Sequence, residues 1–432
     1  MMRNYKNKGA MNHYEFILFI IQIGVMLAVA LTFGQLMRRF HQPAVLGELL
    51  GGIVLGPTVF GVITPCLYTS LFPSTGNVTT AREAVLKLGM LFFLFVAGLQ
   101  VNLSHLRQRG RSVIFTGILG IFVPFALGFG LVMFIPELWG PIPQGTPLLF
   151  AMFIGVALSI SALPVIIRIL MDLDLLNKEI GVIVVAAATI NDLIGWSMFA
   201  VILGAYLPDR SVGEGAWMTL GLSLGLSLFI LVMGRFVGSH ALRWLAPRLP
   251  WPSGFIGITA ILILFSAAMS EAVGIHAVFG AFLLGVSLSQ DTEGLNRAHE
   301  AVYQFAISFF APLYFVSIGL KADFAANFDL PLVLFIFVAA SIGKIGGAGL
   351  GAWAGGTPWR EAMAVGFGMN ARGAMEMILA SVALEYQIIN QRIFVALIVM
   401  ALITSMLSGP AMQRLLTRRG DVEARGGGEI EG

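Results

Sequence analysis

The amino-acid sequence predicts an all-α integral membrane protein with about 13 transmembrane helices. Of its 432 residues, 57% are hydrophobic and only 11% are charged, whereas charged residues make up about 25% of a typical soluble protein. Apolar runs of about 17 to 25 residues, the length that crosses a bilayer as a helix, follow one another along the chain. The chain therefore has too little polar surface to fold in water.

The apolar runs divide into two sets of equal number around a central one. With an odd number of spans, spans 1–6 and 8–13 enter the membrane from opposite sides and form inverted repeats, which are characteristic of secondary transporters. We predict an N-terminal segment 1–15, a transmembrane domain 16–416 and a short cytoplasmic tail 417–432. Repeat one covers about 16–207, a linker helix about 216–239 and repeat two about 253–413. The spans lie near 16–36, 43–63, 83–101, 112–135, 146–171, 179–207, 216–239, 253–273, 275–290, 304–320, 329–353, 360–385 and 391–413.

Positive charge in the loops predicts the orientation, because cytoplasmic loops carry an excess of Lys and Arg. Successive spans cross the membrane in opposite directions, so their loops alternate between its two sides. Of the 26 Lys and Arg residues, 16 fall on one side, 7 on the other and 3 within spans. We expect a multi-pass protein of the cell (inner) membrane with its N-terminus outside and its C-terminus in the cytoplasm. Three of the seven outer charges precede Met11, an alternative start to Met1. The net charge of +3 reflects these loops and does not indicate a nucleic-acid partner.

An acidic residue interrupts the sixth span, in the stretch AATINDLIGW (187–196). Asp192 lies near the centre of this span, where a charged side chain costs about 3 kcal/mol on insertion scales. Acids at this depth usually line ion paths or proton relays; the alternative is a structural salt bridge. Lys344 lies at a matching depth in span 11, which predicts a pair. In that pair Lys344 would either neutralise Asp192 or compete with a cation for it.

Two spans are predicted to be broken. In ALSISALPVIIRIL of span 5, Pro164 removes a backbone donor, and the hydroxyls of Ser159 and Ser161 stand just before it. In GFGMNARGAMEMILA of span 12, glycines and Asn370 surround Arg372. These are the fifth spans of the two halves, and interrupted helices at corresponding positions predict a transport site.

Seven stretches occur together in a recognisable order. They are LGELLGGIVLGPTVFG, LGMLFFLFVAGLQVNL, ALSISALPVIIRIL, AATINDLIGW, EAVGIHAVFGAFLLGVSL, FFAPLYFVSIGLKADF and GMNARGAMEM. Together they resemble the monovalent cation:proton antiporters, in the branch that contains bacterial potassium efflux antiporters and plant cation/proton exchangers. The resemblance covers about residues 33–410.

The resemblance implies a sodium/proton antiporter-like fold of inverted repeats, a dimerisation bundle in a homodimer, and a mobile bundle in which two discontinuous helices cross beside a carboxylate. Asp192 matches the ion- and proton-binding aspartate. Asn191 matches a position that is aspartate in many electrogenic members and asparagine in many electroneutral ones. Lys344 matches the basic residue of span 11, and the stretch 159–164 matches the first broken helix. Asn191 and Lys344 combine features that are often associated with different stoichiometries. The number of protons exchanged for each cation therefore stays open.

A single carboxylate holds either a proton or a monovalent cation, and neutral oxygens complete a cation site without adding charge. The predicted ion- and proton-binding residues are Asp192, Asn191, Ser159 and Ser161. The predicted supporting residues are Lys344, Pro164, Asn370, Arg372 and Glu376, the last two as a pair at i,i+4.

The sequence therefore predicts a secondary active antiporter that exchanges Na⁺ or K⁺ for H⁺ across a lipid bilayer by alternating access. It is expected to need no cofactor and to have no enzymatic activity, and its single acid favours electroneutral exchange. The alternative is a sodium-coupled organic-anion symporter of similar fold.

Overall fold

The computed structural model of the protein describes residues 11–40, 42–99, 110–141, 147–176, 178–206, 221, 225–226, 228–238, 240, 244, 248, 250, 253–273, 276–289 and 296–426. Within these ranges the regular structure is helical. The first half contains α1 (His13–Arg39), α2 (Ala44–Leu55), α3 (Phe60–Ile63), α4 (Pro65–Leu71), α5 (Asn77–Leu99), α6 (Gly110–Phe134), α7 (Pro147–Ser159), α8 (Leu163–Asp172) and α9 (Glu179–Tyr206). The second half contains α10 (Ser253–Ala272), α11 (Ala277–Leu288), α12 (Asn296–Phe305), α13 (Ala311–Lys321), α14 (Phe324–Asn327), α15 (Leu330–Ala354), α16 (Trp359–Met369), α17 (Ala374–Glu385) and α18 (Gln391–Gly426).

Most described helices fall within the predicted spans, whereas α4, α14 and most of α12 lie between them. Eight described helical segments are long and apolar enough to cross a membrane, by length and composition alone. Other predicted spans correspond to shorter apolar helices such as Pro147–Ser159 and Ala277–Leu288, the first of which is one half of a broken span. The linker helix predicted at 216–239 lies partly outside the described residues.

The ends of the membrane domain differ slightly from the prediction. The first helix begins at His13 rather than near residue 16, because Asn12 and Glu15 form a capping box in which each side chain accepts from the other's backbone N–H, both at 2.8 Å. The last helix, α18, continues beyond Leu416 to Gly426, so part of the predicted tail is helical. Residues 1–10 and 427–432 lie outside the described part of the chain.

The helices pack into two groups. We call α1, α2, α5, α10, α11 and α13 the panel bundle, and α6–α9 with α15–α18 the crossing bundle. In the panel bundle, α2 packs on α13 and α5 packs on α11. In the crossing bundle, α6 and α15 lie against each other, α6 also packs on α7 and α9, and α15 packs on α16 and α18. Exchanging the two halves turns each of these pairings into another of them, or into itself for α6 with α15, as inverted repeats require.

Equivalent glycines make close contacts between helices of the panel bundle. A Cβ added at Gly52 of α2 would lie 2.2 Å from the Val316 carbonyl oxygen of α13, and one added at Gly285 of α11 would lie 2.1 Å from the Phe95 carbonyl oxygen of α5. The two glycines end related stretches, AVLGELLGG (44–52) and AVFGAFLLG (277–285). The same short motif therefore lets helix backbones touch in both repeats.

A row of glycines brings α15 against α6. Gly343, Gly347, Gly351 and Gly355 recur every fourth residue and so share one helix face. A Cβ at Gly347 would lie 2.4 Å from the Leu119 carbonyl oxygen. Because small residues let the two backbones approach, Lys344, next to Gly343, lies beside the main chain of α6.

Candidate ion-binding site

The two predicted breaks are present, and the chain crosses itself there. Residues 160–162 separate α7 from α8, and residues 370–373 separate α16 from α17. The Ala162 N–H donates to the Ala371 carbonyl at 3.0 Å, and the Ser161 hydroxyl donates to the Met369 carbonyl at 2.7 Å. The two interrupted stretches are therefore hydrogen-bonded to each other inside the crossing bundle.

Each break has a local cause. Pro164 is in the first turn of α8, where its missing N–H is tolerated, whereas continuing α7 through it would need that donor. The second break follows the glycine-rich stretch GFGMNARG (366–373), which has low helix propensity. A Cβ at Gly373 would lie 2.9 Å from Val165 Cγ2, so glycine is suited to the point where one broken stretch passes the other.

Cationic side chains donate to the carbonyl groups at the end of α7, which lack helical donors. Arg372 donates to the Ala157 carbonyl at 2.7 Å and to the Leu158 carbonyl, and Lys344 donates to the Ser159 carbonyl. Positive charge is favourable at the C-terminal end of a helix, where carbonyl groups lack helical partners. In this structure these carbonyls are hydrogen-bonded to cationic side chains of the protein.

Arg372 also contacts the acid four residues further along α17. Its Nη1 lies 3.2 Å from Glu376 Oε2, and both side chains are buried. The predicted i,i+4 contact is therefore present. The Arg372 guanidinium additionally ties α17 to the end of α7, which its spacing in the sequence did not indicate.

Lys344 is surrounded by three acceptors. Its Nζ donates to the Gly120 carbonyl at 2.9 Å and to the Ser159 carbonyl. With its amide oxygen toward Lys344, Asn191 accepts from Nζ at 2.7 Å and donates to the Gly117 carbonyl at 2.8 Å; this orientation matches donors with acceptors. A lysine ammonium has three N–H donors and no acceptor, so all three donors are satisfied.

Asp192 and Lys344 make no direct ion pair in the described part of the chain. The Asp192 side chain is 1% exposed, and its Oδ1 is buried without a hydrogen-bond partner among the described residues. Asn191 and Asp192 are neighbours on α9, and adjacent helical side chains point about 100° apart. Asn191 faces α6 and Lys344, so the two neighbouring side chains have different surroundings. The roles predicted for Lys344, neutralising Asp192 or competing with a cation for it, need no direct contact and stay predictions.

The remaining predicted residues lie around the crossing. The Ser159 hydroxyl donates to the Gly155 carbonyl at 2.6 Å and lies 3.2 Å from the Ile121 carbonyl oxygen. Asn370 Nδ2 lies 3.4 Å from Ser341 Oγ, and its Oδ1 is buried without a partner in the described part of the chain. The structure thus brings the predicted residues together, although most of their polar atoms already have protein partners.

Sequence reasoning missed two features of this region. One is α6, whose Gly117 and Gly120 carbonyls accept hydrogen bonds from Asn191 and Lys344. The sequence feature that could have indicated this is Pro124, four residues after Gly120 in the same helix. The other is Thr189, whose Oγ1 is buried and unpartnered among the described residues. The sequence feature that could have identified Thr189 is its position three residues before Asp192, which places both side chains on one side of α9.

Comparison with known proteins agrees with this architecture. Residues 25–418 match the family model described as sodium/hydrogen exchanger, transmembrane. The chain is 32% identical over 402 residues to the Na(+)/H(+) antiporter NhaS4 of Synechocystis, covering 92% of this chain and 97% of the relative. It is also 32% identical over 402 residues to Cation/H(+) antiporter 18 of Arabidopsis thaliana, covering 91% of this chain and 48% of that longer relative.

The fold has a solved counterpart. The structure of the sodium proton antiporter MjNhaP1 from Methanocaldococcus jannaschii at pH 8 superposes with a TM-score of 0.62 at 16% identity, covering 93% of this chain and 98% of the other. This likeness concerns the fold, while the family match carries the function. The chain belongs to the transmembrane sodium/hydrogen exchanger family and is a multi-pass monovalent cation:proton antiporter.

Proposed function

We propose that Asp192 is the shared binding site for one proton or one monovalent cation, Na⁺ or K⁺, and that alternating access carries either ligand across the membrane. One observation carries this proposal: the Asp192 carboxyl group is buried beside the crossing, and its Oδ1 has no hydrogen-bond partner among the described residues. A buried carboxylate oxygen without a partner is costly, so it favours binding a proton or a cation. Since both ligands need the same oxygen atoms, binding of one excludes the other.

Neutral oxygen atoms near the crossing complete the proposed cation site. Ser159 and Ser161 each donate their hydroxyl proton to a carbonyl, which leaves oxygen lone pairs available. The amide oxygen of Asn191 is engaged by Lys344. We therefore propose that Asn191 supports Lys344 and does not coordinate the cation directly. Pro164, Asn370, Arg372 and Glu376 are likewise proposed to support the site.

The surroundings of Lys344 support electroneutral exchange of one proton for one cation. A neutral amine has two N–H donors, so loss of a proton from Lys344 would leave one of its three acceptors without a donor. Lys344 therefore stays charged through the cycle. Asp192 alone exchanges its ligand, and one positive charge crosses in each direction.

The chain is proposed to act as a homodimer in the cell membrane, with its N-terminus outside and its C-terminus in the cytoplasm. The distribution of Lys and Arg supports this orientation, with 16 on the cytoplasmic side and 7 outside. The panel bundle would provide the dimer contact, and the crossing bundle would move with its ligand. The proposed repeats, at about 16–207 and 253–413, each contribute to both bundles.

Exchange in reconstituted vesicles tests the function directly. The purified chain is placed in liposomes that enclose a pH-sensitive dye, and NaCl, KCl or choline chloride is added outside. Sodium or potassium should make the lumen more alkaline as protons leave, and choline should not. A pH change that needs an added organic anion would favour the symporter, and the absence of any cation-dependent change would contradict antiport.

A further inference from the structure

A proline within α6 opens the backbone of that helix at one carbonyl. Pro124 lies inside the helix Gly110–Phe134. In an α-helix the N–H of residue 124 would donate to the carbonyl of residue 120, but proline has no N–H, and its ring displaces that carbonyl from the helix axis. The Gly120 carbonyl is therefore left without its helical donor.

The freed carbonyl lies where Lys344 can reach it. A Cβ added at Gly343 would lie 2.9 Å from Pro124 Cα, so α15 contacts α6 at the proline itself. Lys344 is the next residue along α15, and its Nζ donates to the Gly120 oxygen at 2.9 Å. The missing backbone donor of one helix is thus replaced by a side-chain donor of the other.

This replacement matters for Asp192. With Gly120 available, the three donors of Lys344 have the three acceptors Gly120, Ser159 and Asn191. If a residue with an N–H stood at position 124, the Gly120 carbonyl could return to the helix, and one donor of the buried ammonium would need another acceptor. Asp192 directly follows Asn191 and has a buried carboxyl oxygen without a partner, so it would attract that donor.

We propose that Pro124 is a positioning residue for transport: it frees the Gly120 carbonyl, which holds Lys344 on α6 and keeps the Asp192 carboxyl group available to the cation. This inference rests on the proposed role of Asp192 as the ion site. It assigns to α6 a part in transport through Lys344, without contact between Pro124 and the ion.

The substitution Pro124→Ala tests the inference, because alanine restores the N–H and keeps the Cα and Cβ that face Gly343. We expect the half-saturating concentration of Na⁺ or K⁺ to rise at least about tenfold, the scale of one hydrogen bond to a charged group, with little change in maximal rate. Pro410→Ala is the matched control, because Pro410 also lies inside a helix of the crossing bundle. It should leave the half-saturating concentration unchanged.

A double-mutant cycle separates positioning from packing. In the Lys344→Gln background, Pro124→Ala should cause no loss of cation affinity, because the ammonium that Asp192 would attract is absent. Where a variant does not transport, the rise in melting temperature of the purified protein with added NaCl or KCl measures cation affinity in place of exchange.

Two results would overturn the inference: a Pro124→Ala protein with wild-type cation affinity, or the same loss of affinity in both backgrounds. In either case normal exchange by the wild-type chain would leave the proposed function intact. An absence of cation-dependent exchange in the wild type would instead count against the proposed function.

Discussion

At the scale of single residues, two neighbours on α9 have different surroundings. The Asn191 side chain bonds to α6 and Lys344, whereas Asp192 Oδ1 is buried without a partner among the described residues. The rotation of about 100° between adjacent helical residues accounts for this difference. The amide satisfies its donors and its acceptor with neighbouring helices, while one carboxylate oxygen stays without a partner.

The variant Asp192→Asn should fold and insert but lose exchange, because it keeps the size of the side chain and removes the titratable charge. Dye-monitored exchange in liposomes measures the effect, which should reach the background of empty vesicles. Asp174→Asn is a matched control, because Asp174 is exposed outside the predicted spans and its φ of 55° suits asparagine. Proton-coupled cation flux above background in Asp192→Asn would contradict the assignment of the site.

The variant Lys344→Gln tests the proposed stoichiometry. Glutamine has fewer donors on a shorter side chain, so at least one buried acceptor loses its partner, at a cost of about 1 to 3 kcal/mol. We expect a lower melting temperature, and exchange by both wild type and variant that is insensitive to an imposed membrane potential. Exchange by the wild-type chain that follows the potential, and loses this response in the variant, would show that Lys344 releases a proton.

At the scale of helices, the contact between α6 and α15 sets the position of the site. The glycine row of α15 lies on the backbone of α6, and this approach places Lys344 at the Gly120 carbonyl. A larger residue in the row would separate the two helices. It would also move the ammonium away from its acceptors.

The pair of variants Gly347→Ala and Gly346→Ala measures this contact. A Cβ at Gly347 would lie 2.4 Å from the Leu119 carbonyl oxygen, whereas one at Gly346 meets nothing within 4 Å. Overpacking of this kind costs about 1 to 3 kcal/mol, so Gly347→Ala should lower the melting temperature and weaken exchange. Gly346→Ala should be neutral or stabilising by up to about 1 kcal/mol, the difference in helix propensity. Equal melting temperatures for the two variants would show that the helices separate without cost.

At the scale of the whole molecule, an ion pair joins the two bundles on the predicted outer side. Lys87 of α5, in the panel bundle, lies 2.6 Å from Glu385 Oε1 at the end of α17, in the crossing bundle. The His276 and Tyr386 rings lie nearby, with centroids 5.7 Å apart. Movement of one bundle past the other would have to break these contacts.

Charge reversal tests whether this ion pair holds the bundles in the described arrangement. The side chains of Lys87 and Glu385 are 58% and 38% exposed, and exposed pairs contribute less than about 1 kcal/mol. Lys87→Glu should therefore raise the exchange rate only about twofold, by releasing the described state. Lys87→Glu with Glu385→Lys should return the rate to that of the wild type. An effect that is merely additive in the double variant would mean that the two side chains do not act on each other.

The sequence by itself determined the membrane class, the positions of the described spans and the two breaks. These depend on local properties: the length of an apolar run, the missing N–H of Pro164, and the low helix propensity of GFGMNARG. The same local information identified Asp192 and Lys344 as buried charges. Their roles in binding and coupling remain proposals.

Only the tertiary structure decided which partners these groups have. Matching depth in the membrane did not determine which atoms Asp192 and Lys344 contact, because depth does not define the rotation of a helix about its axis. That rotation depends on how the glycine row of α15 meets α6 and on which face of α9 meets α6. These are contacts between residues distant in sequence, so their consequences for Lys344, Asn191 and Gly120 appear only when the helices are packed together.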